Sequence, residues 1–271
     1  MARIITLTTD FGLVDPYVGV MKGVILGINP EAVIVDLTHE VPPQDIAEGA
    51  FALLTSICHF PPSTVHVVVV DPGVGGERAA LLIETDLGLF IGPDNGVLSW
   101  AIAPAGHNRL SRRRAATVRR IFELDNPRYW LPNLSATFHG RDLFAPVAAH
   151  LSLGIEPSQF GRPRSSYRQL PWPELEKKGD GSLVGSVVHV DRFGNLITNV
   201  PAEEVSAKPG DFVASVAGHR ITGLSRNYVG SGLRALVGSS GYLEIALSGA
   251  SAAAYLSAKR GTRVTVHAGS P

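Results

Sequence analysis

A run of six residues, Val-His-Val-Val-Val-Val at positions 65–70, most constrains what this chain can fold into. An apolar run of this length, rich in β-branched side chains, predicts a strand that is buried on both faces, as in a parallel sheet. Strand-like and helix-like segments alternate around it. The further strands are predicted at 4–8, 33–37, 80–84 and 89–91, and the helices at 17–28 and 45–58. This alternation predicts an α/β domain with a central, largely parallel sheet.

The composition changes in the second half of the chain. Residues 163–181 are polar and contain three prolines, which is typical of an interdomain linker. Short strand-like runs then recur at regular spacing, at 183–190, 196–198, 212–216, 242–247 and 263–267. We therefore predict an α/β domain over 1–162, a linker over 163–181, and a smaller β-rich, barrel-like domain over 182–271.

Composition and charge exclude several classes of function. Lys plus Arg and Asp plus Glu number 24 each, so the chain lacks the basic excess of a nucleic-acid binder. The basic run at 112–114 is expected to be a solvated loop or an oligomer-facing surface. No apolar run reaches the roughly 20 residues that span a bilayer, so we expect no membrane contact. A single cysteine, Cys58, excludes an intrachain disulfide, and we expect it to be buried in a cytoplasmic protein.

Two acidic residues follow predicted strands directly. Asp10 opens Asp-Phe-Gly, and Asp71 opens Asp-Pro-Gly-Val-Gly-Gly-Glu-Arg. Ligands of α/β proteins bind beyond the carboxyl ends of strands, and glycines let a ligand approach the backbone. The alternative for each residue is a helix N-cap or an Asx turn. The three glycines after Asp71 favour a functional site there.

Two further clusters could carry chemistry. Thr137-Phe138-His139-Gly140-Arg141-Asp142 places a histidine among glycine and charged residues in a loop, which suits acid–base chemistry better than His66 inside an apolar strand. Asp191-Arg192-Phe193-Gly194-Asn195 combines an acid, an aromatic ring and an amide at a strand end. An aromatic face and an amide can bind a purine, although a β-turn with a packed phenylalanine would have the same pattern.

Three other motif matches lack features that their functions require. Asp10-Phe11-Gly12 matches the kinase metal-binding tripeptide, but only nine residues precede it. Gly73-Val74-Gly75-Gly76 lacks the Lys-Ser/Thr of a P-loop. Asp10 and Asp15 are spaced too widely for the calcium cluster of nucleoside hydrolases. We therefore predict neither a metal nor a cofactor.

Six motifs occur in an order typical of one family. They are Thr-Thr-Asp-Phe-Gly, Val-Val-Asp-Pro-Gly-Val-Gly, Gly-Pro-Asp-Asn-Gly, Thr-Phe-His-Gly-Arg-Asp, Asp-Arg-Phe-Gly-Asn-Leu-Ile-Thr-Asn and Gly-Ser-Ser-Gly-Tyr-Leu-Glu-Ile-Ala. Together they resemble the S-adenosyl-L-methionine (SAM) hydrolases, or hydroxide adenosyltransferases, which are related to SAM-dependent fluorinating and chlorinating enzymes. The resemblance covers residues 4–257 and implies hydrolysis of SAM at ribose C5′ to adenosine and L-methionine, without a cofactor.

The resemblance also implies roles for individual residues. Asp71, Arg78 and His139 match the set at the reacting centre. Asp10 matches the carboxylate that holds the ribose hydroxyls. The remaining matches are Asp15, Asp191 and Ser239 on the methionine side, Phe193 and Asn195 on the adenine side, and Phe138 and Glu244 in motifs beside the substrate. It further implies a homotrimer, with each site between the N-terminal domain of one subunit and the C-terminal domain of the next.

Two alternatives to hydrolysis stay open. The halogenating relatives have an uncharged residue in place of Asp71, a serine in place of Gly140 and a longer insertion, so the sequence favours water over halide as the nucleophile. A non-catalytic adenosine or SAM binder would not need the set of Asp71, Arg78 and His139. The sequence leaves open whether Asp71 acts as a base or only positions water, because an arginine partner would weaken it as a base.

Overall fold

The computed structural model describes residues 4–102, 116–205 and 212–267. The chain forms two compact units and passes from the first to the second between Leu170 and Pro171. This point lies inside the segment 163–181 that we interpret as a linker, and the bounds of that segment stay a prediction. The basic run at 112–114 lies outside the described residues.

The first unit contains seven strands and three α-helices among its described residues. In chain order they are β1 (Ile4–Thr9), α1 (Tyr17–Ile28), β2 (Val33–Thr38), α2 (Ile46–Ser56), β3 (Val65–Val69), β4 (Ala80–Thr85), β5 (Leu89–Pro93), β6 (Val118–Glu123), α3 (Ala145–Ser152) and β7 (Pro163–Arg164). A π-helical turn, Gly140–Phe144, leads into α3. Each strand and helix predicted in this part of the chain is present, with bounds that differ by two residues or fewer.

The first sheet has the strand order β2-β1-β3-β5-β4-β6-β7. The pairs β1–β2, β1–β3 and β3–β5 are parallel, whereas β4–β5, β4–β6 and β6–β7 are antiparallel. The sheet is therefore mixed rather than largely parallel. Strand β4 runs opposite to β3, because the chain turns back after β3, and the hairpin from β4 to β5 then restores the direction of β3.

Strand β3 lies in the middle of this sheet and is buried on both faces, as the valine run predicts. Val65, Val67 and Val69 pack into the apolar core that includes α1 and α3. Val68 and Val70 face the opposite way, into the core beneath α2. Alternate side chains of a strand point to opposite faces, so a strand between two helical layers needs apolar residues at every position.

Two local expectations are wrong. Glycines at 19, 23 and 27, spaced four residues apart, predict a smooth stripe of α1 that packs closely on the sheet, but a Cβ added at any of them would meet nothing within 4 Å. Helix α1 packs instead through Val18, Met21 and Ile25, whose larger side chains bury the apolar surface that glycine lacks. Cys58 is exposed, because in the short turn after α2 its neighbour Ile57 takes the buried position.

The second unit is almost entirely β-structure. Its elements are β8 (Glu176–Lys177), β9 (Leu183–Val190), β10 (Leu196–Pro201), β11 (Val213–Val216), β12 (His219–Thr222), β13 (Leu224–Ser225), β14 (Leu233–Val237), β15 (Tyr242–Leu247), α4 (Ala252–Leu256) and β16 (Arg263–His267). The order β12-β11-β16-β9-β10-β15-β14-β13 brings β12 back towards β14, so the sheet is barrel-like, as predicted. Among the described residues of the whole chain, no helix is long and apolar enough to cross a membrane.

Candidate active site

The parallel strands of the first unit bring several polar residues to one edge of the sheet. Thr9 at the end of β1 lies opposite Val69 at the end of β3. Asp10 and Asp71 follow these neighbouring strand ends by one and two residues, so both leave the sheet at its carboxyl edge. This edge is where α/β proteins bind ligands.

Asp71 forms a buried ion pair with Arg78. The guanidinium Nε donates to Oδ1 and Oδ2 of Asp71 at 2.9 Å each, and Nη2 also donates to Oδ2. Only 4% of the Asp71 side chain and 11% of the Arg78 side chain are exposed. The Arg78 guanidinium also lies over the ring of Phe144, 5.6 Å from its centroid. A carboxylate with both oxygens on a guanidinium is held in a fixed orientation.

His139 contacts Arg78 in turn, so Asp71, Arg78 and His139 form a continuous hydrogen-bonded chain. Its Nδ1 lies 2.7 Å from Arg78 Nη2. A guanidinium can only donate, so Nδ1 accepts, and the proton of the neutral ring is on Nε2. Burial lowers the pKa of His139 and the charge of Arg78 lowers it further, which outweighs the opposite effect of Asp71 and Asp142. The ring is therefore neutral near pH 7 and offers an N–H rather than a lone pair.

Glycines let the loops that carry these residues meet. Gly75 has a φ of +75°, and a Cβ there would lie 2.1 Å from the carbonyl oxygen of Ala136. The loop after β3 thus contacts the loop before His139 through bare backbone. Asn95, in the turn after β5, donates from its side chain to the carbonyl of Val70 at 2.8 Å and so fixes the strand end before Asp71.

The π-helical turn Gly140–Phe144 sets the position of His139, which precedes it. Asp142 within this turn is 2% exposed and accepts hydrogen bonds from Arg141 and from the Ser135 backbone. Its carboxylate therefore ties the turn to the start of the 135–139 loop. Such π turns occur preferentially at functional sites.

Asp10 lies in a tightly bonded turn. The Gln44 backbone donates to Asp10 Oδ2 at 2.7 Å, and Phe11 N–H donates to Thr9 Oγ1 at 3.2 Å. The Phe11 ring meets Tyr17 and Phe138 edge to face, with centroid separations of 5.2–5.9 Å among the three rings. Phe138 therefore connects the Asp10 turn to the residue before His139. Asp15 is exposed ahead of α1.

In the second unit, Asp191 builds the turn that carries Phe193 and Asn195. Asp191 Oδ1 accepts from the backbone N–H groups of Phe193 and Asn195, and Oδ2 accepts from the Asn195 side chain. Asn195 is 7% exposed, whereas Phe193 is 77% exposed at the tip. The segment is thus an Asx-type turn, as the β-turn alternative predicts, but its aromatic ring is not packed. Purine binding by this segment stays a prediction.

Glu244 is buried in the same unit and accepts a hydrogen bond from Tyr228 Oη at 2.8 Å. Burial raises the pKa of Glu244, and the nearby charge of Asp191 adds to this effect against the Tyr228 hydrogen bond. Burial and the Glu244 partner raise the pKa of Tyr228 to about 12. Ser239, in the turn before β15, is exposed.

The predicted site residues thus form two groups, one in each unit. The first contains Asp71, Arg78 and His139, with Asp10 and Phe138 at the same sheet edge; the second contains Asp191, Phe193, Asn195 and Glu244. Sequence reasoning missed Asp142, Tyr228 and His39. His39 has a detectable signal, since it follows strand β2 as Asp10 follows β1. In the described residues, no three His, Cys, Asp or Glu side chains are grouped as metal ligands.

Comparisons with known proteins agree on one family. The model of the SAM hydroxide adenosyltransferase N-terminal domain matches residues 5–161, and that of the C-terminal domain matches residues 185–265. The chain is similar to the (R)-S-adenosyl-L-methionine hydrolase of Salinispora arenicola, with 37% identity over 98% of each chain. The crystal structure of an uncharacterized conserved protein from Thermotoga maritima has a TM-score of 0.87 and 37% identity, and covers 97% of this chain and 99% of that one.

A fluorinase of Nocardia brasiliensis is more distant, with 27% identity over 73% of this chain and 71% of its own length. Both domain models match, and together they cover most of the sequence. The chain belongs to the SAM hydroxide adenosyltransferase family.

Proposed function

We propose that this protein is an enzyme that hydrolyses SAM at ribose C5′ and releases adenosine and L-methionine. The observation that carries the proposal is the buried chain of Asp71, Arg78 and His139 at the carboxyl edge of the first sheet. A binding protein would have no need to bury an ion pair against a histidine, because burying charges costs several kcal/mol per ion.

The chemistry requires little from acid catalysis. Methionine leaves from a sulfonium as a neutral thioether, so no proton has to reach the leaving group. The C5′–O bond forms as the C5′–S bond breaks, its electron pair moves to sulfur, and one proton is released from the attacking water. The enzyme must hold that water in line with C5′–S and keep bulk water away.

We propose that the three side chains position the nucleophile rather than act as a strong base, and their hydrogen bonds support this role. Arg78 occupies both oxygens of Asp71 and the Nδ1 lone pair of His139. The Nε2–H of His139 can donate to the oxygen of the nucleophile, and the remaining lone pairs of Asp71 can accept from it. The water thus loses its proton as the new bond forms, or enters as hydroxide stabilised by Arg78 and His139.

For the substrate-binding residues we propose the roles that the resemblance implies. Asp10 would hold the ribose hydroxyls, with Asp15, Asp191 and Ser239 on the methionine side. Asp191 Oδ2 accepts one hydrogen bond in its turn and keeps a lone pair for the methionine ammonium. Phe193, exposed at the turn tip, would stack on adenine beside Asn195. Phe138 and buried Glu244 would line the substrate from the two units.

Halogenation is the second candidate, and Gly140 argues against it. A Cβ at this position would lie 3.2–3.3 Å from side-chain atoms of Met21, Phe138 and Phe11. A serine there, as in the halogenating relatives, would require these side chains to move by a few tenths of an ångström. Asp71 also presents carboxylate oxygens, which bind water rather than halide.

We also propose an assembly and a location, which the family resemblance and the surface support. We infer a homotrimer whose sites combine the first unit of one subunit with the second unit of the next. Large apolar side chains are exposed on and around α1, at Leu13, Val14, Val20 and Leu26, beside the open glycines of that helix. Light scattering should give a mass three times 28.7 kDa. A single exposed thiol suits the reducing cytoplasm.

The decisive assay incubates the purified protein with each sulfonium epimer of SAM in oxygen-18 water and identifies products by mass. We expect adenosine labelled at the 5′ oxygen and L-methionine, with the (R) epimer preferred because the relatives are named for it. No 5′-chloro-5′-deoxyadenosine should form when chloride is present. Asp71→Ala and His139→Ala should each lose orders of magnitude in rate, and near-wild-type turnover in either would exclude these roles.

A further inference from the structure

His39 lies beside the candidate site and has no role in the function proposed above. It follows strand β2 directly and is 4% exposed. Strand β2 is the parallel neighbour of β1, and Thr38 is paired with Thr8 after a register shift between Leu7 and Thr8. His39 therefore reaches the sheet edge next to the Asp10 turn.

Three hydrogen bonds join the segment 39–44 to this turn. Gly12 N–H donates to the carbonyl of His39 at 2.8 Å. The His39 Nδ1 lies 2.9 Å from Thr9 Oγ1, and Gln44 N–H donates to Asp10 Oδ2 at 2.7 Å. The turn is thus held at its start, at its carboxylate and at its end.

His39 is bonded on both sides, to Asp36 through Nε2 and to Thr9 through Nδ1. His39 Nε2 lies 3.0 Å from Asp36 Oδ1, an ion-pair distance that departs from the line of an ideal hydrogen bond. A carboxylate has no proton to give, so Nε2 carries the proton that faces Asp36, and Nδ1 is hydrogen-bonded to the Thr9 hydroxyl. The Thr9 oxygen then accepts from Phe11 N–H at 3.2 Å. Lys22 binds the other oxygen of Asp36 at 2.6 Å and closes the chain.

A second Thr–His pair in the same sheet shows what a purely structural version looks like. Thr6 Oγ1 lies 2.8 Å from His66 Nδ1, and both residues are fully buried. His66 Nε2 has no hydrogen-bond partner among the described residues, and the ring stacks on Phe90. This pair lies within the strands rather than at the carboxyl edge, and no carboxylate backs it.

We propose that His39, backed by Asp36 and acting through Thr9, is a positioning residue that orients the Asp10 carboxylate towards the ribose of the substrate. The proposal rests on the proposed function, in which Asp10 holds the ribose hydroxyls. The contrast between the two Thr–His pairs carries it, because the pair at the site edge continues into the Asp10 turn and the buried pair does not. An error of about 1 Å in a positioning group can cost 100-fold in rate.

The test compares two matched substitutions. Thr9→Val removes the hydroxyl that links His39 to the turn, and we expect it to lower kcat/KM by about 10-fold to 100-fold. Thr9→Ser should restore kcat/KM to within about threefold of wild type, since it keeps the hydroxyl. Thr6→Val removes the buried hydroxyl and should leave kcat/KM unchanged. Equal kinetics of Thr9→Val and Thr6→Val would overturn the proposal.

A double-mutant cycle then asks whether the effect passes through Asp10. In an Asp10→Asn background, Thr9→Val should lower kcat/KM by less than about twofold, because the carboxylate that it positions is already lost. If Thr9→Val lowers kcat/KM by the same factor in the Asp10→Asn background as in the wild type, Thr9 does not act through Asp10. That outcome would overturn the proposal but not the proposed hydrolysis of SAM. The Asp36 side chain is partly exposed, so Asp36→Asn should leave the melting temperature unchanged. Like Thr9→Val, it should lower kcat/KM. Failure of the proposed function can be distinguished from failure of this proposal, because the wild-type protein itself would then release no adenosine.

Discussion

The buried ion pair between Asp71 and Arg78 leads to a quantitative prediction for Asp71→Asn. The substitution leaves the Arg78 guanidinium, 11% exposed, without its counter-charge and beside the neutral ring of His139. Removing one partner of a buried pair costs about 3–5 kcal/mol. At 2–4 °C per kcal/mol for a chain of this size, the melting temperature should fall by roughly 6–20 °C.

The assay is thermal unfolding followed by circular dichroism, with a double-mutant cycle. Arg78→Met alone should also destabilise, whereas Asp71→Asn with Arg78→Met should cost less than the sum of the single changes, because no charge is left unpaired. Glu84→Gln is the control, since it breaks an ion pair to Arg120, whose side chain is 46% exposed, and should cost less than about 1 kcal/mol. A melting temperature of Asp71→Asn within 2 °C of wild type, or strict additivity, would refute the reasoning.

Two further predictions concern the same site. Burial and the charge of Arg78 hold the pKa of His139 below the usual 6.5, so the ring is mostly neutral at pH 7 and takes up a proton as the pH falls further. The profile of kcat/KM against pH should therefore have an acidic limb whose midpoint lies below pH 6.5, and a midpoint at pH 7 or above would contradict this. Gly75→Ala should reduce adenosine formation about tenfold or more, because its Cβ would lie 2.1 Å from the Ala136 carbonyl oxygen. Gly154→Ala shares the positive φ but has open space around it, so it should cost only about 1–2 kcal/mol of stability and no activity; equal behaviour of the two variants would argue against the close approach.

The sequence predicts the parts of the site that depend on local pattern. A valine run with Asp71 behind it predicts a strand end at the ligand-binding edge, and the structure has β3 ending there. Regular spacing in the second half predicts a barrel-like unit. Family motifs point to Arg78 and His139, whose contact with each other depends on two loops that are far apart in the chain.

Other parts of the site depend on register and packing, which a single sequence does not contain. His39 comes to Thr9 only because β2 pairs with β1 after a one-residue register shift. The direction of β4 depends on a hairpin, and the valine pattern alone does not distinguish a mixed sheet from a parallel one. The glycine spacing in α1 shows that the glycines share one face of the helix, but it does not show whether that face is buried. Met21 and Ile25 form the buried face instead.

The π-helical turn before α3 has a consequence for insertions and deletions. Such a turn contains one residue more than an α-helical turn, and each residue of an α-helix advances about 100° around the axis. Removal of one residue from Gly140–Phe144 would let α3 continue as an unbroken α-helix with its buried face intact. His139 would then be rotated by about 100° relative to that helix and could not meet Arg78. A single-codon deletion here should thus give a protein that still folds but is inactive.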